Sequence, residues 1–568
     1  MYGAMDGDWS DLRSQVSYQQ LKKHAENICQ WARYPASQGE RDAVAYIKGC
    51  LDEYGVEARV EQHDAYVSDT VYGMLTIHAG DRRGFQGITH PFSRSAPQGV
   101  TAEAVYVGGQ NTDGIGVAGK VVLTDDTDAS RNANRLAEKG AVAMVCHSRG
   151  RALQDYIISR VWGTPEPGTL KNLPAIPVIT VDLETGDRLK ALLRDGPVRV
   201  TVRTKLDTEI RKLQFPTAEV KGDPGSSEFV LLAGHMDSWY FGAQDNAVGN
   251  ASLLEVARVL QQNQDKLKRN VRFCWWVGHS HGRFASSTWY CDNYWEDLAR
   301  NCVGYLNVDQ PGFRDASFLK GFATPDATRY LSGMVKALAG QDVLPPRPPR
   351  NADQSFWGVG LPSFSYLPRL REYSPDEAAD DLGNRKPWYQ HSPYDTVDKI
   401  DFDLLTEQTY YFSATMADLS TRGILPWDHA DVADAFSKRL GELNVAGGDH
   451  FDLSPCFALA DAVKQAGLRV RAAKGLSLEQ EAKVSRAIMK ASRILLNIYF
   501  TEEGKYHQAA AAQMPLLPGL SGVGQLRQMS SSSEPYLYLK TKLVRERNRV
   551  TEGLRWASEV LGAAIAGI

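Results

Sequence analysis

Apolar residues recur every three to four positions over residues 18–32 and again over 40–54, the period of helices that bury one face. From about residue 61 to 206 the texture changes to short β-type runs at 104–107, 120–123, 141–145 and 176–181. Turns rich in Gly and Asp divide them, and one helical stretch, 130–139, interrupts them. This predicts a separate β-rich α/β insert. From Phe229 the pattern becomes strand–helix–strand. Residues 229–233 are continuously apolar, as in a strand covered on both faces. Leu253, Val256, Ala257 and Leu260 form a helix stripe, and 271–277 and 303–308 are two further buried strands. Such alternation predicts an α/β fold with a doubly wound mixed sheet, in which ligands sit at the carboxyl ends of strands. Beyond about Ala430 the chain reads as a helical domain, with helices at 432–443, 478–499 and 536–565. A Pro-, Gly- and Ser-rich connection at 514–535 separates the last two.

A length of 568 residues fits about three domains, and 43% hydrophobic with 23% charged residues is ordinary globular usage. The net charge of -4 supplies no basic field, so neither a nucleic-acid nor a membrane partner is expected. Seven cysteines without a CxxC pair argue against a disulfide framework and against a Cys-built zinc site, and point to a reducing compartment. Residues 1–15 are polar, with no basic segment leading an apolar run. No stretch reaches the roughly 18–20 apolar residues that span a bilayer. The apolar end at 561–568 reads as the buried close of a helix. A cytoplasmic location is expected.

Chemistry concentrates after the first buried strand, in Gly234-His235-Met236-Asp237-Ser238-Trp239 and Gly242-Ala243-Gln244-Asp245-Asn246. His235 falls just past the strand and Asp245 just before a helix, whose N-terminus favours an anion. An imidazole and a carboxylate at one sheet edge suit a divalent metal, and Asp237 is placed to take the second imidazole N–H. Alone, the pair reads equally well as a strand-end His and a helix-capping Asp. Asp309, ending another buried strand, and His391, on a loop before Tyr394-Asp395-Thr396, bring the number of candidates to four.

The blocks GHMDSWYFGAQDNAVGNASLLEVAR, LNVDQPG and YQHSPYDTVDKID resemble the metal-binding blocks of the zinc exopeptidase family that includes glutamate carboxypeptidase II and the transferrin receptor. The resemblance covers nearly the whole chain. It implies a metallopeptidase-like α/β domain over 1–60 and 207–429, a protease-associated-like insert over 61–206, and a helical dimerisation-like domain over 430–568. It further implies that His235, Asp245 and Asp309 bind one zinc, and that Asp245 bridges to a second ion bound by His391. The family's adjacent glutamates, one a metal ligand and one the general base, correspond here to the stretch Trp276-Val277-Gly278-His279-Ser280-His281-Gly282. His279 stands at the base position and Ser280 at the ligand position.

An imidazole can take the proton of a metal-activated water, whereas serine is a poor substitute for a carboxylate ligand. His279 or His281 could instead turn inward as a metal ligand, in a set suited to zinc, with iron or manganese as alternatives. The expected function is a metal-dependent hydrolase acting on an amide or other C–N bond of a small molecule or short peptide, with His279 as base and Asp237 supporting. A lyase or other non-peptidase on the same scaffold, and a non-catalytic binding protein, are the alternatives. Asp353, Trp388 and Tyr389 are candidate substrate contacts, and Arg347, Arg350 and Arg369 candidate carboxylate anchors. Residues 505–513 do not clearly reproduce the Lys-Tyr pair that glutamate carboxypeptidase uses for a terminal glutamate, so that specificity is not expected. A homodimer is expected from the resemblance of the C-terminal domain.

Overall fold

Every residue of the strand Phe229–His235 is buried, because paired strands flank it on both edges and the helices Val248–Gln261 and Phe402–Thr421 pack on it. It lies in a computed structural model of the chain that describes residues 6–566, apart from 80–82, 109–113, 126–128, 149–151, 317, 370–386 and 511–513. The first residues of the polar N-terminus, the end of 505–513 and the last two residues of the terminal apolar run lie outside the described residues.

The described strands are β1 (Glu57–Ile77), β2 (Arg83–Thr89), β3 (Ala96–Val107), β4 (Val121–Thr124), β5 (Ala143–His147), β6 (Val178–Val181), β7 (Arg199–Val220), β8 (Phe229–His235), β9 (Asn270–Trp276), β10 (Cys302–Asn307), β11 (Phe318–Ala323) and β12 (Ser363–Arg369). They are hydrogen-bonded in the order β1-β2-β6-β5-β4-β3-β7-β9-β8-β10-β12-β11, with β1 also paired to β7. β9, β8, β10 and β12 run parallel, and antiparallel β7 and β11 border them. The fold is thus the mixed α/β sheet that the apolar runs predict, with a helical C-terminal region.

The insert departs from expectation. Where short runs are predicted, β1 and β7 are strands of 21 and 22 residues, antiparallel from Glu57↔Glu219 to Ile77↔Val200. They form a ribbon that rises out of the parallel sheet and carries β2–β6 at its far end. Polar residues such as Gln62, Asp64, Asp69 and Glu209 sit along its half-solvated middle and read as turns in the sequence. The expected junctions at 60/61 and 206/207 fall inside these continuous strands. A second insert helix, Leu183–Asp195, accompanies the expected one at Ala129–Glu138. It is capped by Asp182, whose carboxylate accepts the Thr185 N–H at 2.7 Å. Its buried face is only Thr185, Gly186 and Leu189, too weak a stripe to stand out.

The C-terminal helices are His429–Gly447, Ser454–Ala472, Leu478–Phe500 and Glu534–Ile565. Ser454–Ala472 lacks an apolar stripe in the sequence, because its buried side is largely small residues: Cys456, Ala460, Ala466 and Gly467 beside Val463 and Val470. All seven cysteines are buried and free. Among the described residues no helix is long and apolar enough to cross a membrane.

Candidate metal centre

His235 closes β8, and its Nδ1 lies 2.9 Å from the Asp237 backbone carbonyl. A carbonyl can only accept, so Nδ1 carries the hydrogen and Nε2 presents its lone pair inward. This corrects the expectation for Asp237: its carboxylate is 3.8 Å from Nδ1, and the main-chain oxygen takes the hydrogen bond instead. The two-residue turn brings the carbonyl under the ring. The Asp237 carboxylate is left to accept the His279 N–H at 3.0 Å, and so ties the β8 loop to the β9 loop.

Nε2 of His235 lies 3.0 Å from Asp245 Oδ1 and 3.5 Å from Asp309 Oδ1. The ligand atoms of the three residues are all within 4.8 Å of one another, a spacing at which one cation can touch each. Asp245 sits in the turn before the helix Val248–Gln261. The two oxygens of Asp395 hold that turn, accepting the N–H groups of Gln244 at 2.8 Å and Asp245 at 3.0 Å. Asn246 laces the neighbouring strand ends: its amide donates to the carbonyls of His235 (3.3 Å) and Val308 (3.0 Å) and accepts the Gln310 N–H (3.0 Å). Asp309, one position beyond Val308, is thereby fixed against His235.

Buried polar atoms in a folded protein are nearly always bonded. Here His235 Nε2 and Asp309 Oδ1 are buried without a hydrogen-bond partner. Burial disfavours protonation of His235, but Asp245 and Asp309 outweigh it and hold the imidazole pKa well above its ordinary value. Burial likewise would raise Asp245, but His235 and His391 hold it well below the usual carboxylate range. Carboxylates that draw a proton to an imidazole also draw a divalent cation, which takes the neutral ring and displaces that proton. The donor set of one imidazole and two carboxylates fits zinc, and manganese or iron as well.

The outer oxygen of Asp245 has different company. His391 Nε2 is 3.0 Å from Oδ2, with its Nδ1 donating to the Asp155 carbonyl at 2.9 Å. The side-chain amides of Gln310 and Gln390 also donate to Oδ2, each at 2.8 Å. An ion bridging from Asp245 to His391 would have to displace both.

After β9 the chain turns tightly, with Phe284 N–H on the His279 carbonyl (2.9 Å) and Ala285 N–H on that of Gly278 (3.1 Å). The His279 ring stacks on that of His235, with centroids 4.1 Å apart and planes at 22°. Its Nδ1 is 2.6 Å from Asp353 Oδ2, while Asp353 Oδ1 accepts the Ser287 hydroxyl at 2.7 Å. Asp353 therefore orients His279. Ser280 is buried. His281 stands apart from the three-ligand set, wedged between Tyr34 and Trp239 at ring distances of 5.1 and 4.2 Å, and burial lowers its pKa to about 4. Trp388 and Tyr389 pack on each other just upstream of His391, with Tyr394 against Trp388.

Sequence reasoning missed several supports. Asp155 comes from the insert, Gln310 and Gln390 are neighbours of the expected ligands, and Asp395 is the Asp of the YDT block. Arg33, fully buried, donates to the carbonyls of Ile28, Trp31, Met236, Phe241 and Gly242 and so holds the loop between His235 and Asp245. Gln310, Gln390 and Asp395 carried a signal, since they lie in the same sequence blocks as Asp309 and His391.

Residues 217–416 match the model of Peptidase family M28. The chain is 27% identical over 374 residues to a probable glutamate carboxypeptidase of Zea mays, covering 54% of this chain and 52% of that protein. It is 23% identical to transferrin receptor protein 2 of Homo sapiens, covering 50% of this chain and 40% of that protein. The chain spans about half the length of the curated relatives it matches. Among solved structures it is similar to an aminopeptidase from an Aneurinibacillus strain, with a TM-score of 0.54, 23% identity and coverage of 71% of this chain and 94% of that one. A peptidase M28 precursor from Shewanella amazonensis gives a TM-score of 0.57, 20% identity and coverage of 73% and 97%. These two likenesses carry the fold.

Proposed function

We propose that this chain, whose residues 217–416 are a peptidase family M28 domain, is a metal-dependent hydrolase of an amide or related C–N bond, with His279 as general base. The observation that carries the reading is the convergence of His235, Asp245 and Asp309 around a buried, hydrogen-bond-free Nε2. When bound there, a zinc ion supplies Lewis acidity and lowers the pKa of water.

The chain's own residues do the rest. Asp353 keeps the Nδ1 hydrogen of His279, so Nε2 of that ring is the basic nitrogen. His279 takes the proton of the attacking water, whose oxygen bonds to the carbonyl carbon. The C–N bond then breaks, and the proton passes to the leaving nitrogen. Gln310 and Gln390, bonded to the outer oxygen of Asp245, favour a single tightly held ion over a pair. The imidazole base in place of an acid also suits a re-purposed non-peptidase enzyme, the second reading.

Elemental analysis of the purified chain, with activity on a peptide panel before and after chelation, tests this. The expected result is about one transition-metal ion per chain, lost in His235→Ala and Asp309→Ala. His279→Ala should keep the ion while activity falls about 10²–10⁴-fold. A bound ion with a silent peptide panel favours the second reading. Absence of metal after incubation with zinc, iron or manganese overturns both and turns attention to a binding role.

A further inference from the structure

Arg283 lies in the turn that follows His279 and is 2% exposed, yet its guanidinium makes no hydrogen bond and no ion pair among the described residues. Two of its nitrogens, Nε and Nη1, are buried outright without a partner. Burying a cation without a bonded counter-charge is among the more costly arrangements in a protein, and arginine cannot readily shed its proton. Burial lowers its pKa only to about 9, so the group stays charged at neutral pH. Among the described residues, the carboxylate whose charge reaches it, Asp353, already has its two oxygens engaged by His279 and Ser287.

The backbone holds the side chain there at further expense. Arg283 and Phe284 both adopt left-handed conformations, φ 52° and 65°, which side chains other than glycine rarely take. The Arg283 carbonyl is pinned by the Gly163 N–H of the insert at 2.5 Å. Its guanidinium carbon stands 4.5 Å from the Phe284 ring centre, and that ring meets the His279 ring edge-on at 4.8 Å. The charge therefore lies one aromatic ring away from the proposed base. On the far side of the same aromatic wall, where Trp162 packs on Phe284, Arg350 is equally buried. There, however, it is bonded to the Gln354 carbonyl, to Gln508 Oε1 (2.6 Å) and to the Ala509 carbonyl (3.4 Å). Arg350, an anchor candidate by sequence, thus has hydrogen-bonding partners, and Arg283 has none among the described residues.

We propose that Arg283 is the anchor for a carboxylate on the ligand of this site, and that the preferred ligands are small acids. A carboxylate matches the planar guanidinium fork in a two-point hydrogen bond and supplies the missing counter-charge. The assignment of the ligand as a substrate rests on the hydrolase reading; the anchoring itself does not.

The test uses the full chain loaded with zinc, and calorimetric binding of short dipeptides with a free α-carboxylate beside the same dipeptides as carboxamides. Wild type should favour the acids about 10- to 100-fold. Arg283→Met should bring that ratio close to one, with metal content unchanged and the melting temperature equal or higher, because an unpaired buried charge has gone. Arg283→Lys, which keeps the charge and loses the fork, should retain only part of the preference. No acid preference in wild type, or a preference that survives Arg283→Met, overturns the proposal. So does a large fall in melting temperature with the preference intact, which would mark a structural role. If wild type holds no metal yet shows the Arg283-dependent preference, the hydrolase reading falls and the anchor stands. Metal and hydrolysis without the preference give the converse.

Discussion

Arg33 and Arg283 are both almost wholly buried beside the loops that carry the candidate metal ligands, and they differ in how they are bonded. Arg33 gives five hydrogen bonds to main-chain carbonyls between residues 28 and 242, so its charge is distributed over peptide dipoles and its removal would leave those carbonyls bare. Arg283 gives none. The lesson is that burial alone does not reveal what a charged side chain is for. A group whose bonding capacity is satisfied by the protein holds the fold; one left unsatisfied at the edge of a reactive centre is aimed at something that arrives.

The comparison breaks if the two arginines respond alike to removal. The largest effect is expected for Arg33→Met, which should destabilise the chain by about 3–5 kcal/mol as several buried acceptors lose their donor. A urea midpoint on the full chain reads this, and metal content should fall with it because residues 236–242 come loose. Arg350→Met should cost less, about 1–3 kcal/mol, since two of its three acceptors are carbonyls that a relaxed loop can expose to water. Arg283→Met is the reference near zero.

A further effect depends on pH and concerns a buried acid of the insert. Asp155 is buried with Tyr240 as its hydrogen-bond donor (3.1 Å), and burial pushes its pKa up to about 7. Between its unfolded value of about 3.9 and about 7, the folded chain retains a proton that the unfolded chain has lost. Stability from this group is therefore full below about pH 4 and declines as pH rises toward 7. Melting curves from pH 4 to 8 should show that slope, and Asp155→Asn should remove it.

Much of this molecule was legible in the sequence. Continuous apolar runs marked β8, β9 and β10 to within a residue or two, and His235, Asp245 and Asp309 were visible because each sits at a strand end or helix start. The β1–β7 ribbon was not, because half-solvated strands carry polar residues that mimic turns. Nor could spacing show that His279 meets Asp353, 74 positions away, or that the Asp237 carbonyl rather than its carboxylate supports His235. The orphaned state of Arg283 was beyond reach for a related reason. A sequence lists donors, but only the folded chain shows which of them have no acceptor.

The ribbon has a consequence for how the molecule is assembled. The chain departs along β1 and returns along β7, and the pairing is unbroken from Glu57↔Glu219 to Ile77↔Val200 except for one irregularity near Thr70. The insert is thus severable: cutting after residue 77 and joining to 200 through a tight reverse turn would leave a capped hairpin and an intact sheet. What the shortened chain would lack includes the Asp155 carbonyl that steers His391, the Asp155 N–H that donates to the His391 carbonyl, the Gly163 N–H that pins Arg283, and the side chains of Gln154, Asp155 and Trp162, which bond to Gln390, Tyr240 and Ser355. A single excision would therefore remove these supports of the candidate site together.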